Sequence, residues 1–254
     1  MTTSPDPNRI GGLEWTRRTN GRLTRRERLH LLAAVVTTQR DFLVHRLRRA
    51  RPSAIPRPGE RDIRPPDSRF AREAEAAAAE QNPVVRSHGY RSWIFGRALA
   101  DVDAIAVDEE LLFAGALLHD HGIESAVAGQ DFTLRSARRA AECATAAGVD
   151  DARAAALADA ITVHTTPGIT VERDGATGYY IQNGALADIT GNRVWDLSAN
   201  VVDDTLARYD RRGFTHGLGD LFTAEAKAVR GGRLSMLRRC GFVPLMRTAP
   251  FAQR

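Results

Sequence analysis

Leu111-Leu112-Phe113-Ala114-Gly115-Ala116-Leu117-Leu118-His119-Asp120 is the stretch that decides how this chain folds. A run of apolar and small residues fit for a buried helix ends in two ionisable ones. Burying an imidazole or carboxylate without a partner is costly, so a His-Asp pair closing such a helix points to a compensating cation. Neighbouring helical residues point about 100° apart and reach one ion together only where the helix ends, which makes Gly122 the expected C-cap. His88 precedes the pair and Asp188 follows it. His88, His119, Asp120 and Asp188 form a mixed nitrogen and oxygen donor set. It suits one divalent transition metal, zinc, iron, manganese or nickel, better than calcium, and does not single out one of the four.

Outward from this stretch, apolar periodicity predicts helices over residues 68–81, 84–99, 108–120, 136–147, 151–164, 179–189, 201–209 and 220–230, with 170–180 as a loop or short hairpin. An all-α bundle follows, its site built from side chains of several helices facing inward. Residues 1–22 are rich in Pro, Gly, Asn, Thr and Arg, lack apolar periodicity and predict a segment loose or draped over the surface. Thr24 and Glu27 have capping-box spacing and open a helix expected over 24–49, with Leu29, Leu32, Val35, Val36, Phe42 and Leu43 supplying an apolar stripe. That stripe should pack on the rest of the chain or across a dimer interface, so a homo-oligomer stays open. Prolines crowd residues 51–66, which read as a linker. The expected organisation is an Arg-rich extension and linker over 1–66 and a catalytic domain over 67–254.

The charge is uneven. Residues 1–66 hold 15 arginines against 6 acidic residues, while the rest has 21 basic against 25 acidic. The catalytic region therefore has no basic excess, and its substrate is expected to be a small molecule and not nucleic acid. Cys143 and Cys240 stand far apart with no C-x-x-C spacing, which excludes a disulfide framework and fits a reducing cytoplasm. No stretch approaches the roughly 20 apolar residues of a membrane span, so no membrane partner is expected.

Residues around the His-Asp pair carry a family likeness. Pro83-Val84-Val85-Arg86-Ser87-His88-Gly89-Tyr90-Arg91-Ser92-Trp93-Ile94-Phe95-Gly96 resembles the NHSxRxYxFG helix of the cyanamide hydratase-like branch of the HD-domain superfamily of metal-dependent phosphohydrolases and related enzymes. Glu109-Glu110-Leu111-Leu112 through His119-Asp120 resembles that branch's ExLxxAALLHDLG, and Ala160-Ile161-Thr162-Val163-His164-Thr165 its AIxxHT. Gly184-Ala185-Leu186-Ala187-Asp188-Ile189-Thr190-Gly191 resembles GAxxDVxG, and the tail from Gly241-Phe242 to Ala249-Pro250-Phe251 fits as well. The likeness covers roughly residues 65–254.

The resemblance implies an HD-type helical bundle with the metal on His88, His119, Asp120 and Asp188. It implies a hydrolase or lyase in which a metal-held hydroxide attacks a small nitrile-type or related nitrogen compound. His164 is then the first candidate for the acid that protonates the developing nitrogen anion, beside Asp120 at the metal. The alternative is a phosphohydrolase of a small phosphate ester or nucleotide, in which Arg91, one turn from His88, and Arg86 would meet the phosphate charge. A non-catalytic HD sensor or scaffold is a third reading, against which the intact donor set argues. Between Gly122 and Ala187 the only histidine is His164, fewer than diiron members of the superfamily use, which favours a mononuclear centre. His121-Gly122-Ile123-Glu124 lacks the lysine that follows the pair in cyclic-dinucleotide phosphodiesterases. His121 and Glu124 are further candidates to line the pocket, and His216 reads as a loop residue.

Overall fold

Local capping sets most of the helix starts. Asn82 accepts hydrogen bonds from the Val84 and Val85 amides with Pro83 in the first turn, and Asp108, Asp131 and Asp150 cap the helices that follow them in the same way. The computed structural model describes residue 6 and residues 8–47 and 63–251. Within these the elements are α1 (Leu13–Thr19), α2 (Arg25–Leu47), α3 (Arg69–Ala78), α4 (Pro83–Val102), α5 (Glu109–Leu118), α6 (Phe132–Ala147), α7 (Asp151–Val163), α8 (Val171–Asp174), α9 (Ala176–Thr190), α10 (Ala199–Arg208), α11 (Phe214–Ala228), α12 (Arg233–Arg239) and α13 (Phe242–Met246). No strand occurs among the described residues, and the protein is an all-α bundle. None of their helices is long and apolar enough to cross a membrane.

The core centres on α4, α5 and α9. Helix α5 is buried along its whole length from Leu111 to Leu118, as expected of its run of apolar residues. α4 and α9 approach so closely that a Cβ on Gly184 would lie 2.0 Å from the Ser92 carbonyl oxygen and one on Gly96 2.4 Å from that of Tyr180. Only glycine permits backbone contact of this kind.

Several expectations change. Residues 8–22 are not draped loosely: α1 forms there, Trp15 is 1 % exposed, and the buried Arg9 is ion-paired with Asp159 of α7 and Asp174 of α8. The 170–180 segment is the short helix α8 and the start of α9, not a hairpin, and Gly175, at φ +80°, separates the two. Helix α11 begins at Phe214, so His216 is helical. The short helices α12 and α13 were not expected at all.

The capping box is present. Glu27 accepts from the Thr24 amide at 2.7 Å and hydroxyl at 2.8 Å, while the Glu27 amide donates to the Thr24 hydroxyl at 3.2 Å. The buried face of α2 is narrower than its sequence promised. Leu31, Val35 and Phe42 are covered, but Leu29, Val36 and Leu43 face outward. Leu31 and Val35 join Trp15, Leu23 and Met236 in a small core of their own. Arg233, 1 % exposed, knots this region together by donating to the carbonyls of Gly11 and Thr162, to the Thr166 hydroxyl and to Asp131. The expected end of α2 at 48–49 and most of the 51–66 linker lie outside the described residues.

Candidate metal centre

Three imidazoles and one carboxylate converge where α4, α5 and α7 meet. His88 comes from the second turn of α4, His119 caps the C-terminus of α5 and His164 that of α7. Asp120 follows His119 at φ −104°, where the helix gives way to a 3-10 turn over His121–Glu124. That break, and not a left-handed Gly122, lets adjacent side chains face one point. Gly122 is needed for a different reason, since a Cβ there would lie 2.4 Å from the Phe132 carbonyl oxygen.

The Nε2 atoms of His88, His119 and His164 lie 3.7, 3.4 and 3.6 Å from the Asp120 carboxylate oxygens. The opposite nitrogens are all engaged. Nδ1 of His119 donates to the Ala116 carbonyl at 2.7 Å and that of His164 to the Ile161 carbonyl at 2.6 Å, and Nδ1 of His88 donates to Asp188 at 2.7 Å. Carbonyl and carboxylate oxygens can only accept here, so each of these imidazoles carries a proton on Nδ1 and in its neutral form turns a lone pair inward from Nε2. This arrangement, one ring nitrogen open and the other fixed by an oxygen acceptor, is the one metal-bound histidines use. His88 Nε2 is buried without a hydrogen-bond partner. A buried group of His88, His119 and Asp120 could thus hold a metal ion.

Electrostatics favour the neutral ring at two of the three histidines. Burial lowers the pKa of His88 and His164 despite their carboxylate neighbours, keeping both rings inclined to neutrality. For His119 burial acts in the same direction and is the largest single influence, but the charge and hydrogen bond of Asp120, the Ala116 carbonyl and the Asp188 charge together outweigh it and the net shift is upward. Asp120 is itself held well below the usual carboxylate range, because the three histidines outweigh its desolvation.

Asp188 occupies a different place from the one expected. One of its oxygens accepts from the back of His88, and the other accepts from Arg91 Nε at 2.8 Å and from Arg211. The two guanidiniums overcome its burial and keep it ionised far below the ordinary range. Arg91, fully buried, also donates to the carbonyls of Tyr209 and Asp210, and it does not line the cavity described below. Its expected role as a substrate-facing cation gives way to holding Asp188. Arg86 is exposed on α4, His121 is half-buried 3.4 Å from Glu80, and Glu124 accepts from the Asn82 amide. None of these three lines the cavity either.

No protein-family model and no curated protein matches the chain.

A cavity of about 120 Å³ opens onto His119, Asp120 and His164. Its walls are Ala185, Leu186 and Ile189 of α9, Phe222 of α11, residues of α12 and α13, and Val35 and Phe42 of α2. No arginine or lysine among the described residues lines it. Sequence reasoning missed Arg211, which has no motif around it, and Gln182, whose amide donates to the His164 and Thr166 carbonyls and fixes the end of α7. It also missed the α12 and α13 wall, whose Leu234, Leu237, Phe242 and Leu245 were visible only as scattered apolar residues.

Proposed function

We propose that the protein is a metal-dependent hydratase or hydrolase of HD type, acting on a small uncharged nitrogen compound of the nitrile class. The observation that carries this is the buried group of His88, His119 and Asp120, whose ligand atoms lie within 4.8 Å of one another, with His164 Nε2 3.6 Å from the other Asp120 oxygen, beside a cavity that no arginine or lysine lines among the described residues. The donor set is then His88, His119 and Asp120, with His164 beside it as the nearest fourth ligand, and zinc is the first choice for imidazoles with a carboxylate. When bound, such an ion lowers the pKa of water towards neutrality and polarises an electrophile.

The chain's own groups do the rest. Asp188, clamped by Arg91 and Arg211, orients the His88 ring and strengthens it as a donor. The Ala116 and Ile161 carbonyls do the same for His119 and His164. His164 in this tautomer offers a lone pair and not a proton, so it acts as a ligand and the acid role first expected of it falls away. As the water oxygen bonds to the electrophilic carbon, Asp120 at the floor of the cavity is placed to take the water's proton and pass it to the nitrogen that gains the electron pair of the broken π bond. The lack of arginine or lysine among the described lining residues favours a neutral electrophile over a phosphate ester, whose charge needs cations.

Elemental analysis of the purified full chain tests the centre, and a panel of cyanamide, small nitriles and phosphate esters tests the chemistry. About one transition metal per chain is expected, with occupancy lost in His119→Ala and His164→Ala, together with turnover of the nitrogen compounds. Unchanged metal in His119→Ala, or turnover confined to phosphate esters, would overturn the reading. Retained metal with lost turnover in His164→Ala would return that residue to acid catalysis.

A further inference from the structure

The cavity is larger and more apolar than a molecule of a few atoms requires. A dry apolar cavity of about 150 Å³ takes a benzene ring, and this one is of similar size. Its ionisable groups are few among the described residues. His119, Asp120 and His164 supply the ionisable groups, Thr38, Gln39, Thr165, Gln182, Thr190 and Asn192 neutral polar ones, and Phe42, Phe222, Leu234, Phe242 and Leu245 the larger apolar surface. A charged substituent lodged among those side chains would lose its hydration and gain no counter-charge.

The outer wall comes from α2, in the segment expected to be only an extension. Val35 and Phe42, each 7 % exposed, reach the cavity from the helix face that carries Thr38 and Gln39. Three attachments hold that wall: the Gln39 amide donates to the Cys240 carbonyl at 3.2 Å, the Trp15 indole N–H to Glu27 at 2.7 Å, and Phe42 lies 6.3 Å from the Trp195 ring.

We propose that this cavity is a subsite for an uncharged apolar group of about benzene size on the substrate, and that α2, through Val35 and Phe42, selects that group. The floor meets the reacting carbon and nitrogen while the walls take the substituent. This rests on the reading above only in assigning the floor its chemistry; the subsite itself is a matter of shape and polarity.

Ligand-observed NMR titration of the full chain separates the two, using benzonitrile, acetonitrile and phenyl phosphate with metal-loaded and chelator-treated protein. Benzonitrile should bind about tenfold or more tightly than acetonitrile in both states, since a buried ring removes far more apolar surface from water than a methyl group. Phenyl phosphate should bind more weakly than benzonitrile. Phe42→Ala should weaken benzonitrile about tenfold and leave acetonitrile unchanged. Ala185→Leu, which narrows the cavity without opening the wall, should also weaken benzonitrile and keeps the test alive if Phe42→Ala melts early. Benzonitrile binding no better than acetonitrile, tighter binding of phenyl phosphate, or indifference of benzonitrile to Ala185→Leu would each overturn the subsite. Selective benzonitrile binding in a protein that holds no metal would uphold the subsite and sink the metal reading, and a full metal complement without that selectivity would do the reverse.

Discussion

The two sides of the cavity are built by different physics. On the inner side, α4 and α9 meet backbone to backbone at Gly96 and Gly184, and Asp188 is pinned between two buried guanidiniums and His88. On the outer side, α2 rests on its neighbours through a few side chains while Leu29, Val36 and Leu43 stay in solvent. Close-packed backbone and buried charge have few alternative arrangements, whereas a helix seated through side chains can change its contacts at small cost. The candidate metal centre therefore lies on the rigid side and the wall proposed to select substrate on the adjustable one.

The hardest way to break this contrast is to remove Asp188. Asp188→Ala leaves Arg91 and Arg211 buried without their shared counter-charge, which should cost about 3–5 kcal/mol or prevent folding. Urea unfolding of Asp188→Ala against the parent measures it, and a loss under about 1 kcal/mol would mean that the clamp carries little of the inner wall.

A milder break is Gly184→Ala. Its Cβ would sit 2.0 Å from the Ser92 carbonyl oxygen, so α4 and α9 must move apart, at about 1–3 kcal/mol. Because Asp188 lies one turn further along α9, metal affinity should fall with stability. On the outer wall, truncating the exposed Val36 should change stability by less than about 0.5 kcal/mol. Equal effects of the two substitutions in the same unfolding assay would erase the distinction.

The smallest expected effect concerns the tie between α11 and α6. Glu225 accepts from the Phe132 amide and from Arg135, both at 2.9 Å, yet burial outweighs them and pushes its carboxyl up to about 7 from an ordinary value of 4.5. A raised carboxyl keeps its proton longer in the folded state. Its contribution to stability is full below pH 4.5 and is lost as pH rises towards 7. Glu225→Gln should therefore show a flatter fall of melting temperature than the parent between those values. Parallel profiles would place the titration elsewhere.

Legibility in the sequence follows the same division. His88, His119 and Asp120 were readable because their donor chemistry sits on helix faces and ends whose periodicity is plain, and the Thr24–Glu27 box because capping is local. Spacing could not tell which side of His88 Asp188 would meet, since that depends on the register of α9 against α4 and on Arg211. Residues 8–22 looked featureless because what orders them is distant in sequence. Arg9 finds Asp159 and Asp174, and Trp15 finds Met236. The segments 233–239 and 242–246 are too short for a periodicity to develop, and their apolar residues acquire meaning only opposite α2.

Arg233 carries a consequence for how the molecule is made. Its side chain bonds to the Gly11 carbonyl, 222 positions earlier, and the Trp15 core closes on Met236 of the same helix. A contact of that span can form only after α12 has left the ribosome, and closing it carries the entropy of a long loop. The inner helices can assemble during synthesis, while α2 waits with its apolar face uncovered until α12 arrives. The wall proposed to choose the substrate is thus completed only once α12 has been made, and the stage before it docks is when the nascent chain is most prone to aggregate or to need a chaperone.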